Sequence, residues 1–79
     1  MITVAWTPAA LVQLHNFHLT QQGLVFVQNH TQNWVMGNAD GWALNTQHQR
    51  VDVTTGATIT ARVATVNGAN KTVDIISMV

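Results

Sequence analysis

The chain has 79 residues, 47% hydrophobic and 8% charged, with a formal net charge of zero and no cysteine. Three basic residues are too few for a nucleic-acid footprint, which neutralises several phosphates. The lack of cysteine excludes disulfides, thiolate catalysis and cysteine zinc sites. No apolar run approaches the roughly 18 residues of a membrane-spanning helix, and high hydrophobicity with little charge argues against disorder.

At the N-terminus, Met1-Ile-Thr-Val-Ala-Trp6 lacks the positive region and long apolar core of a signal peptide. Thr7 suits an N-cap and Pro8 the first helical position, so one or two helical turns are expected from Pro8 to about His15. Leu24-Val-Phe-Val27 then reads as a short strand between polar segments. Trp34-Val-Met36 and Trp42-Ala-Leu44 read as a hairpin whose loop runs from Asn38 to Gly41, because Asp-Gly between apolar runs is a turn signal. Farther on, Val51 and Val53 alternate with Asp52 and Thr54, and Thr54-Thr-Gly56 marks a turn. Ala57 to Val66 reads as one strand, with Ile59, Ala61 and Val63 on one face. Asn67-Gly-Ala-Asn70 turns the chain, and Lys71 to Met78 returns antiparallel to it. Arg62 and Asp74 are placed to meet across this hairpin. Five or six short antiparallel strands with a helical turn at the start predict an all-β fold, a small barrel or sandwich of SH3-like or OB-like size, in a single domain over residues 1–79.

Polarity is carried mainly by uncharged groups: seven Gln, seven Asn and eleven Thr. These hydrogen-bond without the desolvation cost of an ion, and a neutral surface is weakly protected against association. No catalytic set emerges. The carboxylates are Asp40, Asp52 and Asp74; Asp40 falls in a turn, and Asp52 and Asp74 are expected to face solvent from strands. Ser77 is the only serine and has no nucleophile-elbow context. His15 and His18 have spacing compatible with a shared helical face, and His30 and His48 lie farther on, but nothing in the sequence specifies the geometry of a third ligand and its supporting partners, so no metal and no cofactor are expected. Trp34 and Trp42 flank a polar turn containing Asn38 and Asp40, and such a set can bind a sugar by ring stacking and planar hydrogen bonding. The alternative is that both indoles fill a core or an interface.

The stretch Asn33-Trp-Val-Met-Gly-Asn-Ala-Asp-Gly-Trp-Ala-Leu44 resembles the Gly-Trp hairpin of bacterial SH3-like domains, some of which bind cell-wall polymers. The resemblance covers about twelve residues, and it departs from the pattern in lying mid-chain and lacking a cationic surface. Gly56 to Ile75 is similar to a hairpin found in OB-like and Tudor-like barrels.

These features point first to a non-enzymatic structural or assembly protein, such as a capsid-decorating or tail-associated virion component. Its partner would be itself or a larger protein assembly, at a virion or extracellular surface. The second reading is a carbohydrate- or cell-wall-binding module using Trp34, Trp42, Asn38 and Asp40. The third is a small inhibitory or regulatory protein binder. Neither nucleic acid nor membrane is an expected partner.

Overall fold

A computed structural model describes residues 1–79. The chain runs β1 (Ile2–Trp6), α1 (Pro8–His15), α2 (Gln21–Asn38), a 3-10 turn (Ala39–Gly41), β2 (Gln47–Val51), β3 (Thr58–Asn67) and β4 (Asn70–Met78). The strands form one four-stranded sheet in the order β1-β4-β3-β2. β1 lies parallel to β4, and the other two pairings are antiparallel. The architecture is therefore a two-layer α/β sandwich with an open sheet, which corrects the expected all-β barrel or sandwich.

Helix replaces expected strand in the middle of the chain, and at the N-terminus Ile2–Trp6, not expected as a strand, pairs in parallel with β4 where only antiparallel strands were expected. α1 forms where the Thr7-Pro8 signal places it: the Thr7 hydroxyl accepts from the Ala10 N–H at 3.2 Å, and the helix ends at His15. The β3–β4 hairpin also forms around Asn67 and Gly68, and Gly68 adopts a φ of +60° that its missing Cβ permits. The segments Leu24–Val27 and Trp34–Met36, expected as strands, are instead two parts of the single helix α2. Thr20 caps it, its hydroxyl accepting from the Gly23 N–H at 3.1 Å. Val27, Thr31 and Val35 recur every four residues and form its buried stripe, flanked by the half-buried Leu24 and Trp34. The Thr31 hydroxyl is satisfied within the helix by donating to the Val27 carbonyl at 2.7 Å. Burial of that stripe outweighs the weak helix propensity of Val, Thr, Asn and Gly. Asp40-Gly41, expected as a hairpin turn, lies in the 3-10 turn that ends the helix, and Trp42–Leu44 is not a strand.

The core lies between the sheet and the helices. Val73, Ile75, Ile59, Ala61 and Val63 point into it from the two central strands, and Ala10 and Leu14 enter from α1. Ile2, Val4 and Trp6 alternate along β1 on the same side and are half-buried. The opposite face of the sheet has no covering layer. By register it carries Thr3, Ala5, Thr72, Asp74, Arg62, Thr60, Gln47 and Gln49. Arg62 and Asp74 are opposite one another, but the guanidinium donates to Asn45 Oδ1 at 3.1 Å. Two register shifts in the β3–β4 ladder, at Thr60/Ala61 and Val63/Thr65, mark irregularities that bend and twist such a pair.

Asp52 corrects a second expectation: it is fully buried rather than solvent-facing. It ends β2 by bending the chain. Its Oδ2 accepts from the Thr55 N–H at 2.9 Å and the Thr55 hydroxyl at 2.8 Å, closing an Asx-type turn. Its Oδ1, and Nη1 of Arg50 on β2, are buried without partners.

Candidate functional site

The aromatic cluster at the end of α2 is built by three segments. Trp34 projects from the last turns of α2, Trp42 follows the 3-10 turn, and His48 lies on β2. The Trp42 and His48 rings stack nearly parallel, with centroids 3.9 Å apart and 5° between planes. Trp34 meets Trp42 edge-on at 5.4 Å and 65°. Both indoles pack against the core.

A hydrogen-bond relay fixes the imidazole. The Thr46 hydroxyl lies 2.7 Å from the Ala43 carbonyl and 2.8 Å from His48 Nε2. A hydroxyl has one proton, and a carbonyl can only accept. Both contacts therefore hold when Thr46 donates to Ala43 and His48 donates from Nε2. That assigns the proton of neutral His48 to Nε2, the nitrogen facing Thr46.

Lys71, the only lysine in the chain, locks the backbone below this cluster. It lies on β4 next to β1, and its Nζ donates to the carbonyls of Ala39, Asp40 and Trp42, each at 2.8 Å. One ammonium thus spends three donors on the carbonyls at and beyond the C-terminal end of α2, where the helix dipole is negative. The arrangement ties the helix end to the sheet.

The sequence-selected residues are placed as follows. Trp34 and Trp42 come together. Asn38 is exposed at the last turn of α2 and its amide donates to the Trp34 carbonyl at 2.7 Å. Asp40 is exposed in the 3-10 turn, where its backbone carbonyl is held by Lys71. One face of Trp42 is occupied by His48. The four do not line a common depression, since both surface depressions lie elsewhere. The SH3-like hairpin implied by the Gly41-Trp42 resemblance is replaced by a helix end and a 3-10 turn. His15 ends α1 and His18 follows it with a φ of 52°; no three potential metal ligands cluster anywhere in the chain.

Sequence reasoning passed over His48, Thr46 and Lys71 as partners of the indoles. The Gln47-His-Gln-Arg-Val51 strand was the available signal for His48, since it points His48 and Arg50 to one side. Lys71 lies 29 residues from Trp42, and nothing local announces their contact.

One of the two depressions, about 400 Å³ and open, runs along the outer face of α2 between Gln21 and Asn33. Phe26 and His30 stack there, with ring centroids 4.0 Å apart, amid Gln and Asn side chains. No helix of the chain is long and apolar enough to cross a membrane. No protein family, curated protein or solved structure matches the chain.

Proposed function

We propose that this chain is a non-enzymatic assembly protein that acts through protein–protein contact, as a small component of a larger structure such as a virion. The observation that carries this reading is a ratio on the surface. Eleven large apolar side chains are exposed, among them Val25, Phe26, Met36, Leu44, Val51 and Val53, whereas the whole chain has six charged residues. Exposed apolar groups are ordinary when charge is dense around them. Here little electrostatic repulsion opposes association, and burial of apolar surface favours it. The uncovered sheet face adds small neutral side chains such as Thr3, Ala5 and Thr72, which bring neither bulk nor charge to a contact.

The test is sedimentation velocity across a concentration series of the pure chain. The expected result is a mass that rises above 8.6 kDa with concentration. A strict monomer up to about 1 mM, where even weak association of roughly 4 kcal/mol becomes visible, would overturn the reading.

A further inference from the structure

We infer that β1 is a self-recognition edge: two copies of this chain pair β1 to β1 antiparallel, about a two-fold axis through Val4, and merge their sheets into one of eight strands. This deepens the assembly reading above and rests on it.

The phase of the β1–β4 ladder shows which backbone groups are free. At one end the Lys71 N–H donates to the Met1 carbonyl, and at the other the Thr7 N–H donates to the Ile75 carbonyl. In a parallel ladder the residues that bond the partner alternate. Met1, Thr3, Ala5 and Thr7 therefore face β4, and the N–H and C=O of Ile2, Val4 and Trp6 face outward from the sheet edge. Both ends of this free stretch are closed within the chain. The Met1 ammonium donates to Ala69 O and Asn70 Oδ1, the Thr7 carbonyl accepts from Leu11, and Pro8 has no N–H.

The free stretch matches itself. In an antiparallel pair centred on Val4, Val4 opposes Val4 and Ile2 opposes Trp6 of the second copy. Each of these is a hydrogen-bonded position, because each outward residue offers both a donor and an acceptor. All the free groups of Ile2, Val4 and Trp6 are then satisfied on both chains at once. On the core side, the half-buried Ile2, Val4 and Trp6 gain apolar neighbours that complete their burial. On the open face, Thr3 opposes Ala5 of the other copy, small and neutral against small and neutral. No charged side chain lies on β1. One sequence therefore serves as both halves of an isologous contact, which a two-fold interface requires.

The other edge of the sheet is guarded. β2 points Arg50 and His48 inward, and an inward-pointing charge is a known obstacle to edge pairing. Arg50 Nη1 is already buried without a partner. β1 has neither a charge nor an internal proline, so it is the edge open to strand addition. Its five residues make a short contact, and the expected dissociation constant is in the range of about 10 µM to 1 mM.

The chain has no native cysteine, so engineered thiols report the register cleanly. Thr3 and Ala5 would oppose one another at a non-hydrogen-bonded position, with Cα atoms about 4.5 Å apart, within reach of a disulfide. Mixing the Thr3→Cys and Ala5→Cys chains under mild oxidation should give the mixed disulfide dimer in excess over either homodimer. Val4→Pro removes an outward N–H without touching a β4 bond, and should weaken dimerisation at least about tenfold while the amide spectrum of the monomer stays folded. A wild-type oligomer with no preference for the mixed disulfide overturns the β1 assignment and leaves the assembly reading standing; pairing through the outer face of α2 would give that outcome. If Val4→Pro is unfolded, the disulfide experiment decides alone. A wild-type chain that remains monomeric overturns both.

Discussion

Lys71 shows how much one side chain can hold in a protein with six charges. Its ammonium is tetrahedral and points three donors at three carbonyls, from Ala39, Asp40 and Trp42. Each is a charge-assisted bond, stronger than a neutral one. The geometry also spans elements, because Lys71 belongs to the sheet and the carbonyls belong to the end of α2 and the chain beyond it. Lys71→Met keeps the stem and removes the donors. It should lower the unfolding free energy by about 2–4 kcal/mol in urea titration, a large loss for a domain of this size. Lys71→Arg should recover only part of that loss, since a planar guanidinium cannot address three carbonyls disposed around a point. Equal stability of the Met and wild-type chains would show that solvent replaces these bonds at no cost. Neither the lysine nor its carbonyls could be paired from sequence, because the contact joins residues about thirty apart through a fold not yet known.

α2 is the element on which sequence and structure part, and its composition explains why. Two apolar blocks, Leu24–Val27 and Trp34–Met36, are rich in residues that favour strands, and glycines precede and follow them. The helical signal is spread more widely: Leu24, Val27, Thr31, Trp34 and Val35 lie three or four apart. A polar Thr31 in the middle of that stripe hides it, although its hydroxyl is buried and satisfied by the helix itself. By contrast, α1 and the β3–β4 hairpin were legible because each begins or turns on a local stereochemical signal, Thr7-Pro8 in one and Asn67-Gly68 in the other. The indole pair of the candidate site was legible as a pair, but its setting on a helix end was lost with α2. The helix is thus held by tertiary burial against its own propensity, and this makes its glycines informative. A Cβ at Gly37 meets nothing within 4 Å, whereas one at Gly23 comes 3.3 Å from Leu19 Cβ. Gly37→Ala should therefore raise stability by about 0.5–1 kcal/mol through propensity and the unfolded chain alone. Gly23→Ala should gain less or lose stability, as Leu19 must give way. Thermal unfolding of the two variants side by side separates the effects, and an equal gain at both sites would mean that Leu19 moves freely.

At the scale of the whole molecule, the first strand is added to the last. Ile2 pairs with Lys71 and Trp6 with Ile75, so β1 cannot dock until nearly the entire chain has been gathered. The β3–β4 pairing closes over a short Asn67–Asn70 turn, and such local closure costs far less chain entropy than joining the two ends. The sheet is therefore expected to grow from the hairpin outward, with β1 arriving after the rate-limiting step. This order gives a kinetic prediction. Val4→Ala removes apolar contacts made by β1 and should act mainly by speeding unfolding, with a φ-value below about 0.3. Val63→Ala, in the fully buried part of β3 opposite Val73, should slow folding instead, with a φ-value above about 0.5. Stopped-flow chevrons in urea, recorded at concentrations dilute enough to keep the chain monomeric, measure both. The same order bears on assembly. A strand that docks last also detaches first, and its loss would uncover the edge of β4 in its place. An edge-to-edge contact between two β1 strands would thus stabilise the weakest seam of each chain, because partner binding raises the stability of whatever it requires to be folded. Unfolding of the wild-type chain should then slow as protein concentration rises, whereas the Val4→Pro chain should unfold at one rate throughout. A wild-type unfolding rate independent of concentration, across a range where sedimentation shows dimer, would place the dimer contact away from β1.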